Sequence, residues 1–203
     1  MINPRLTKLA SSYGTAIWRV DGKEIRDRLD IEFTNGSEHY ASPYIPHDEI
    51  WVDREAHDTE EWLALVPRLL DERDSGAVGK HKTAMAAEAN FRRYWRQKSE
   101  LDELFIERLS VEAGVQVMLV RGKAVRDWIW TDFVQGGQHL VYDFIPKGQI
   151  WIDNALVAEE FLPTIKHELF ELRLMSQGIS YVEAHAQSSQ FELEFRRQRL
   201  LNM

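Results

Sequence analysis

Short alternations of apolar and polar residues run through residues 15–53 and again through 115–153, and each stretch then gives way to a helical period. Ala16-Ile17-Trp18-Arg19-Val20 predicts a strand. Asp21-Gly22 after it predicts a hairpin turn, with Lys23-Glu24-Ile25-Arg26 as the returning strand. Ile31-Glu32-Phe33 continues as a strand as far as a second turn at Asn35-Gly36. Glu49-Ile50-Trp51-Val52-Asp53 is a further, mainly apolar strand, and residues 1–13 read as a short helix or a lead-in arm. Helical periodicity predicts helices over 59–74 and 158–176. Pro67 should break or kink the first, whereas Pro163 is tolerable in a first turn. Gly76 and Gly178 are suited to cap their C-termini. Second helices begin near Lys80 and Tyr181; the earlier one is expected to run through Arg92 to about Leu109 as a long connecting helix that ends before Gly114.

Residues 17–53 align with 117–153 at an offset of 100 without a gap, and 13 of the 37 positions are identical. About one in twenty is expected by chance, so the chain carries an internal repeat. Val20, Gly22, Arg26, Phe33, Gly36, His39, Pro46, Trp51 and Asp53 all recur 100 residues later. The helical parts align with small shifts. Arg68-Leu69-Leu70-Asp71-Glu72 falls against His167-Glu168-Leu169-Phe170-Glu171, and His81, Glu88 and Phe91-Arg92-Arg93 fall against His185, Glu192 and Phe195-Arg196-Arg197. The expected fold is α+β, a tandem duplication of a module of three to four β-strands and two α-helices in a pseudo-twofold arrangement. Residues 1–113 form a first, degenerate copy and 114–203 a second copy.

Composition narrows the functional classes. The formal net charge of −8 argues against non-specific nucleic-acid binding, which needs a cationic face. The clusters Arg92, Arg93, Arg96, Lys98 and Arg196, Arg197, Arg199 read as solvated helix faces. The absence of Cys excludes disulfides, thiolate metal sites and thiol catalysis. Neither a secretory leader nor an apolar run of about 18 residues is present, so a cytoplasmic protein away from membranes is the expectation.

The chemistry gathers in the second copy. On a helix, His167 and Glu171 project from one face, with Glu168 one residue round from His167. His185 and Glu192 share a face of the next helix, and the short Gly178 connection makes the two helices antiparallel neighbours. His167, Glu171, His185 and Glu192 are therefore candidate metal ligands, with Glu168 as general base on a metal-bound water. Zinc suits imidazole and carboxylate together; magnesium or manganese would suit the carboxylates. The competing reading is an acidic amphipathic helix with a structural His–Glu pair, since the first copy keeps His81 and Glu88. Asp132, His139 and Asp153 are possible cleft residues; turn fixation and helix capping are the plainer roles for them.

The run His167-Glu168-Leu169-Phe170-Glu171, Leu174-Met175, Gly178, Tyr181, Ala184-His185, Glu192 resembles a domain of bacterial and phage proteins for which no reaction is established. It covers about forty residues and implies no activity. A wider likeness to zinc metallopeptidases rests on His167 and Glu168 alone, because Glu171 stands where that pattern has His. The pair Glu168 and Glu171 also resembles the ExxE helix of all-helical, magnesium-dependent nucleotide pyrophosphatases, although Glu192-Leu193-Glu194 does not supply the second acidic motif. Three functions stay open: a metal-binding domain acting as a hydrolase, a non-enzymatic interaction module with a protein partner for the first copy, and a pyrophosphatase.

Overall fold

The computed structural model describes residues 2–12, 14–55, 65–70, 86, 88–90, 92 and 103–201. The chain forms two compact units, Met1–Gln97 with Arg126–Asp132, and Lys98–Val125 with Phe133–Met203. Each carries a four-stranded mixed sheet of the same topology. In the first unit β1 (Arg5–Ser12), β2 (Thr15–Val20), β3 (Gly36–Glu38) and β4 (Glu49–Asp53) lie in the order β1-β2-β4-β3. The second unit repeats this with β5 (Phe105–Glu112), β6 (Val115–Val120), β7 (Gly136–Gln138) and β8 (Gln149–Asp153), in the order β5-β6-β8-β7. The two central strands are parallel, and each edge strand is antiparallel to its neighbour. A short helix, α1 (Gly22–Arg28) or α2 (Gly122–Trp128), follows the first central strand. The tandem α+β duplication is thus present in the fold.

Both faces of the central strands are buried, so their apolar residues divide by parity. Val117, Ile150 and Ile152 face Ile165 and Leu172 of the helix α3 (Ala158–Ser176), while Val120 and Trp151 face Val125, Phe133 and Ile145 on the other side. The first unit has the same arrangement. Ile17, Ile50 and Val52 meet Leu65, Val66 and Leu69, and Val20 and Trp51 meet Ile25, Phe33 and Ile45.

Several local expectations are corrected. Residues 5–12 are an edge strand, from which Leu9 and Ala10 pack on the core. A half-solvated edge reads as polar in sequence. Asp21-Gly22 is a helix start in place of a hairpin turn: the Asp21 carboxylate accepts from the Glu24 N–H at 3.2 Å and caps α1. Gly22 and Gly122 recur because a Cβ there would lie within about 2 Å of the Asp53 or Asp153 carboxylate. Residues 31–33 form a turn from which Phe33 plugs the core, and Gly36 begins β3 where a turn was expected. The long connecting helix does not reach Leu109, because 105–112 is β5. Ala113 (φ 50°) and Gly114 (φ 82°) form the left-handed turn that joins it to β6.

Residues 65–70 are helical and Pro67 does not interrupt them. The expected cap Gly76, the helix start near Lys80, and Glu72 and His81 lie outside the described residues. In the second unit both helices match expectation, α3 at Ala158–Ser176 and α4 at Tyr181–Leu201. Gly178 (φ 88°) closes α3, its N–H bonding the Met175 carbonyl while Ile179 N–H reaches Leu174. Pro163 sits one turn further into α3 than a first-turn position. Its missing N–H leaves the Glu159 carbonyl without a helical partner, and Arg199 of α4 donates to that oxygen at 3.1 Å.

Candidate metal centre

Helix α4 buries a narrow stripe of Ala184, Ser188, Ser189, Glu192 and Arg196, small or polar residues spaced near one helical turn. Such a stripe permits close approach to α3 but buries charge, so the facing residues of α3 must answer it. They do so in two connected groups. Arg196 clasps Glu160 with Nη1 and Nη2 at 2.7 and 2.9 Å and holds Glu192 Oε1 at 2.6 Å. The other oxygen of Glu192 lies 2.9 Å from Nδ1 of His167, off the direction of an N–H bond, and the contact is therefore one of charge.

The second group is the triad. His185 Nδ1 lies 2.9 Å and His167 Nε2 3.7 Å from the same oxygen of Glu171, and the three side chains offer ligand atoms all within 4.8 Å of one another. The two imidazole rings meet edge-on with centroids 5.1 Å apart. Glu171 and His167 are buried, and the His185 side chain is 35% exposed, so the triad opens to solvent on the α4 side. Ligands of a zinc ion with bonds of about 2.0–2.2 Å stand about 3.0–3.6 Å apart. The observed spacing fits after a small inward movement of the imidazoles.

Glu168 is buried to 9% exposure, and among the described residues no group hydrogen-bonds its carboxylate. Its counterpart in the first unit, Leu69, belongs to the apolar core. A carboxylate thus occupies a slot that the fold otherwise fills with leucine. Burial pushes its pKa up against the opposing charges of His167 and His185, and the charges of Glu171 and Glu192 add to the rise. Burial would also raise Glu171, but the nearby His167 imidazole and the hydrogen bonds with His185 and Gln138 outweigh it and hold Glu171 well below the usual carboxylate range. Glu192 is likewise lowered, as His167 and Arg196 overcome its desolvation. Burial alone would lower His167, yet Glu171 and Glu192 raise it from 6.5 to about 10. Arg196 is pushed above its ordinary value by Glu160 and Glu192 against its own burial.

These shifts set a pH profile for the metal-free protein. A folded pKa above the unfolded one contributes stability that is complete below pH 6.5 and is lost by about pH 10 as His167 deprotonates. Glu168, also raised, works in the same sense. The lowered Glu171 and Glu192 contribute at pH above the ordinary carboxylate value and lose that contribution as acid protonates them. The thermal midpoint of chelator-treated protein is therefore expected to fall between pH 6.5 and 10. A flat profile there would contradict the ion-paired state of His167.

The remaining sequence candidates lie elsewhere. Asp153 ends β8, is buried beneath Gly122, and accepts from the Ala155 N–H at 2.9 Å. Asp132 is half-exposed and lies 3.7 Å from Arg68. His139 follows β7, and its Nδ1 is buried without a partner among the described residues; in the first unit, His39 Nδ1 meets the Ile45 carbonyl at 2.6 Å.

Two residues that organise the centre, Gln138 and Glu160, were not singled out from the sequence; Arg196, read there as part of a solvated helix face, is instead buried and ion-paired, as is Arg92 in the first unit. Gln138 is fully buried, and its amide reaches Glu171 Oε1 at 3.2 Å. Glutamine is seldom a ligand, so its type gave no signal. The Glu38–Gln138 mismatch between the copies was available as one. No protein-family model, curated protein or solved structure matches the chain.

Proposed function

We propose that the second unit is a metal-binding domain that works as a metal-dependent hydrolase, with His167, Glu171 and His185 as ligands and Glu168 as base. Zinc is the first choice for two imidazoles and one carboxylate, with manganese or magnesium behind it. The observation that carries the reading is the gathering of three ligand atoms within 4.8 Å beside a nearly buried carboxylate that has no hydrogen-bond partner among the described residues.

Charge supports it. With both imidazoles neutral, the group holds the carboxylates of Glu160, Glu168, Glu171 and Glu192 against one guanidinium, Arg196. In the first unit the corresponding carboxylate Glu88 lies between two guanidiniums, Arg68 at 3.2 Å and Arg92 at 2.7 Å. The position of His167 is thus filled there by a permanent cation. The second unit lacks that cation, and a divalent ion or bound protons would balance it.

A bound ion in such a site supplies Lewis acidity and brings the pKa of a coordinated water to about 7. Glu168 then takes the proton of the attacking water and returns it to the leaving group, a role suited to a carboxylate whose pKa burial has raised. Glu192 sets its charge 2.9 Å from Nδ1 of His167 and is itself fixed by Arg196. The sheets beneath α3 do not fit the all-helical fold of the pyrophosphatases.

Protein prepared without an affinity metal is expected to carry one divalent ion per chain, to lose it to chelator, and to lose thermal stability with it. Absence of metal, with melting indifferent to zinc and chelator, would leave an ion-paired structural module, the non-enzymatic reading.

A further inference from the structure

We propose that Gln138 is a positioning residue that holds Glu171 to a single ligating oxygen and so keeps the centre four-coordinate, with one place for water. This rests on the metal reading above. The amide orientation follows from its partners: Leu140 N–H donates to Gln138 Oε1 at 2.6 Å, so that atom is the carbonyl oxygen. The Nε2 group must then face α3, where it donates to Glu171 Oε1 at 3.2 Å and meets Met175 Sδ at 3.1 Å. The oxygen of Glu171 left for a metal is Oε2, the one that both imidazoles approach.

The first unit shows what the same place does without this duty. Glu38, at the equivalent position, uses Oε1 to accept from Ala41 N–H at 2.9 Å and Oε2 to accept from Tyr40 N–H at 2.8 Å. Both of its oxygens serve the turn after β3. In the second unit a glutamine keeps one turn contact and turns its donor toward the centre. A carboxylate at 138 would instead meet Glu171 as a like charge and offer the metal further oxygens.

The chemistry of the donor set gives the consequence. A carboxylate with a free second oxygen tends to bind both oxygens to the ion, and a metal with more ligands is a weaker Lewis acid toward water. By tying Oε1, Gln138 leaves a three-ligand set and an open fourth position, the pattern of catalytic zinc.

The test is cobalt(II) titrated into the full chain. Four-coordinate cobalt absorbs intensely in the visible, whereas five- and six-coordinate cobalt absorbs weakly. The parent is expected to give the intense band. Gln138→Leu removes both amide functions, whereas Gln138→Glu keeps an acceptor for Leu140 N–H, as Glu38 does, and so retains the turn. Both variants are expected to bind cobalt with the weak band. Should Gln138→Leu fail to fold, Gln138→Glu still reads the coordination. An intense band unchanged in the folded variants overturns the role of Gln138 and leaves the metal reading intact. A weak band in the parent overturns four-coordination, and no cobalt binding by the parent overturns both.

Discussion

Replacing His167 by arginine is expected to abolish metal binding while leaving the fold in place. Arginine occupies this position in the first unit, where Arg68 lies 3.2 Å from Glu88 and only 11% of its side chain is exposed. In the second unit the same guanidinium would meet Glu192 and Glu171 as a cation that, unlike the His167 imidazolium, cannot give up its proton to make room for a metal. The variant should purify without metal, and its melting should not respond to chelator. Alanine at 167 would also lose the metal, but it strands Glu192 with one oxygen unanswered, at a cost of about 1–3 kcal/mol. A related signature distinguishes a ligand from a neighbour. His167 is held protonated to about pH 10 in the metal-free state, so zinc uptake near neutral pH must displace that proton. Calorimetry in buffers of different ionisation enthalpy should show the release in the parent and not in His167→Arg. Stoichiometric metal retained by the arginine variant would remove His167 from the ligand set.

The second large effect is expected at Glu168. Substituting leucine restores the residue that the first unit places in its core as Leu69, at 2% exposure. The substitution removes a nearly buried carboxylate with no hydrogen-bond partner among the described residues and adds apolar contact with the sheet. Relief of the desolvation alone is worth about 1–3 kcal/mol. At about 2–4 °C per kcal/mol for a chain of this size, the thermal midpoint should rise by several degrees. Metal stoichiometry should be retained, because Glu168 is not one of the three gathered ligands. Hydrolytic turnover, followed with p-nitrophenyl acetate as a probe, should vanish. A buried residue whose carboxylate gains only the charge of the neighbouring imidazoles is most simply explained by chemistry. A leucine variant less stable than the parent would show that the carboxylate is part of the packing.

The sequence by itself determined the duplication, the boundaries of α3, the start of α4, the Gly178 cap and the helix face that carries His167 and Glu171. These depend on periods of 3.6 and on turn residues, which are local properties. The repeat also located the place where the copies differ in chemistry-bearing residues, Arg68-Leu69 against His167-Glu168. The edge strands β1 and β5 were not legible in that way, because they are largely exposed on both faces, so burial imposes no alternation on them and they take their identity from the strand they pair with. The helix at Asp21-Gly22 was missed for a related reason. The dipeptide satisfies either a turn or an N-cap, and the Asp53 carboxylate beneath Gly22 makes the choice.

At the centre, residue type and spacing identified candidate ligands that share a helix with their partners. Tertiary structure alone decided which carboxylates gather and which stand behind. Glu192 lies one step out, between His167 and Arg196; Glu160 answers Arg196 from 36 residues away; and Gln138 reaches Glu171 from a strand 33 residues earlier. Such partners are fixed by the packing of α3 on the sheet and of α4 on α3, and a linear pattern carries no record of that distance.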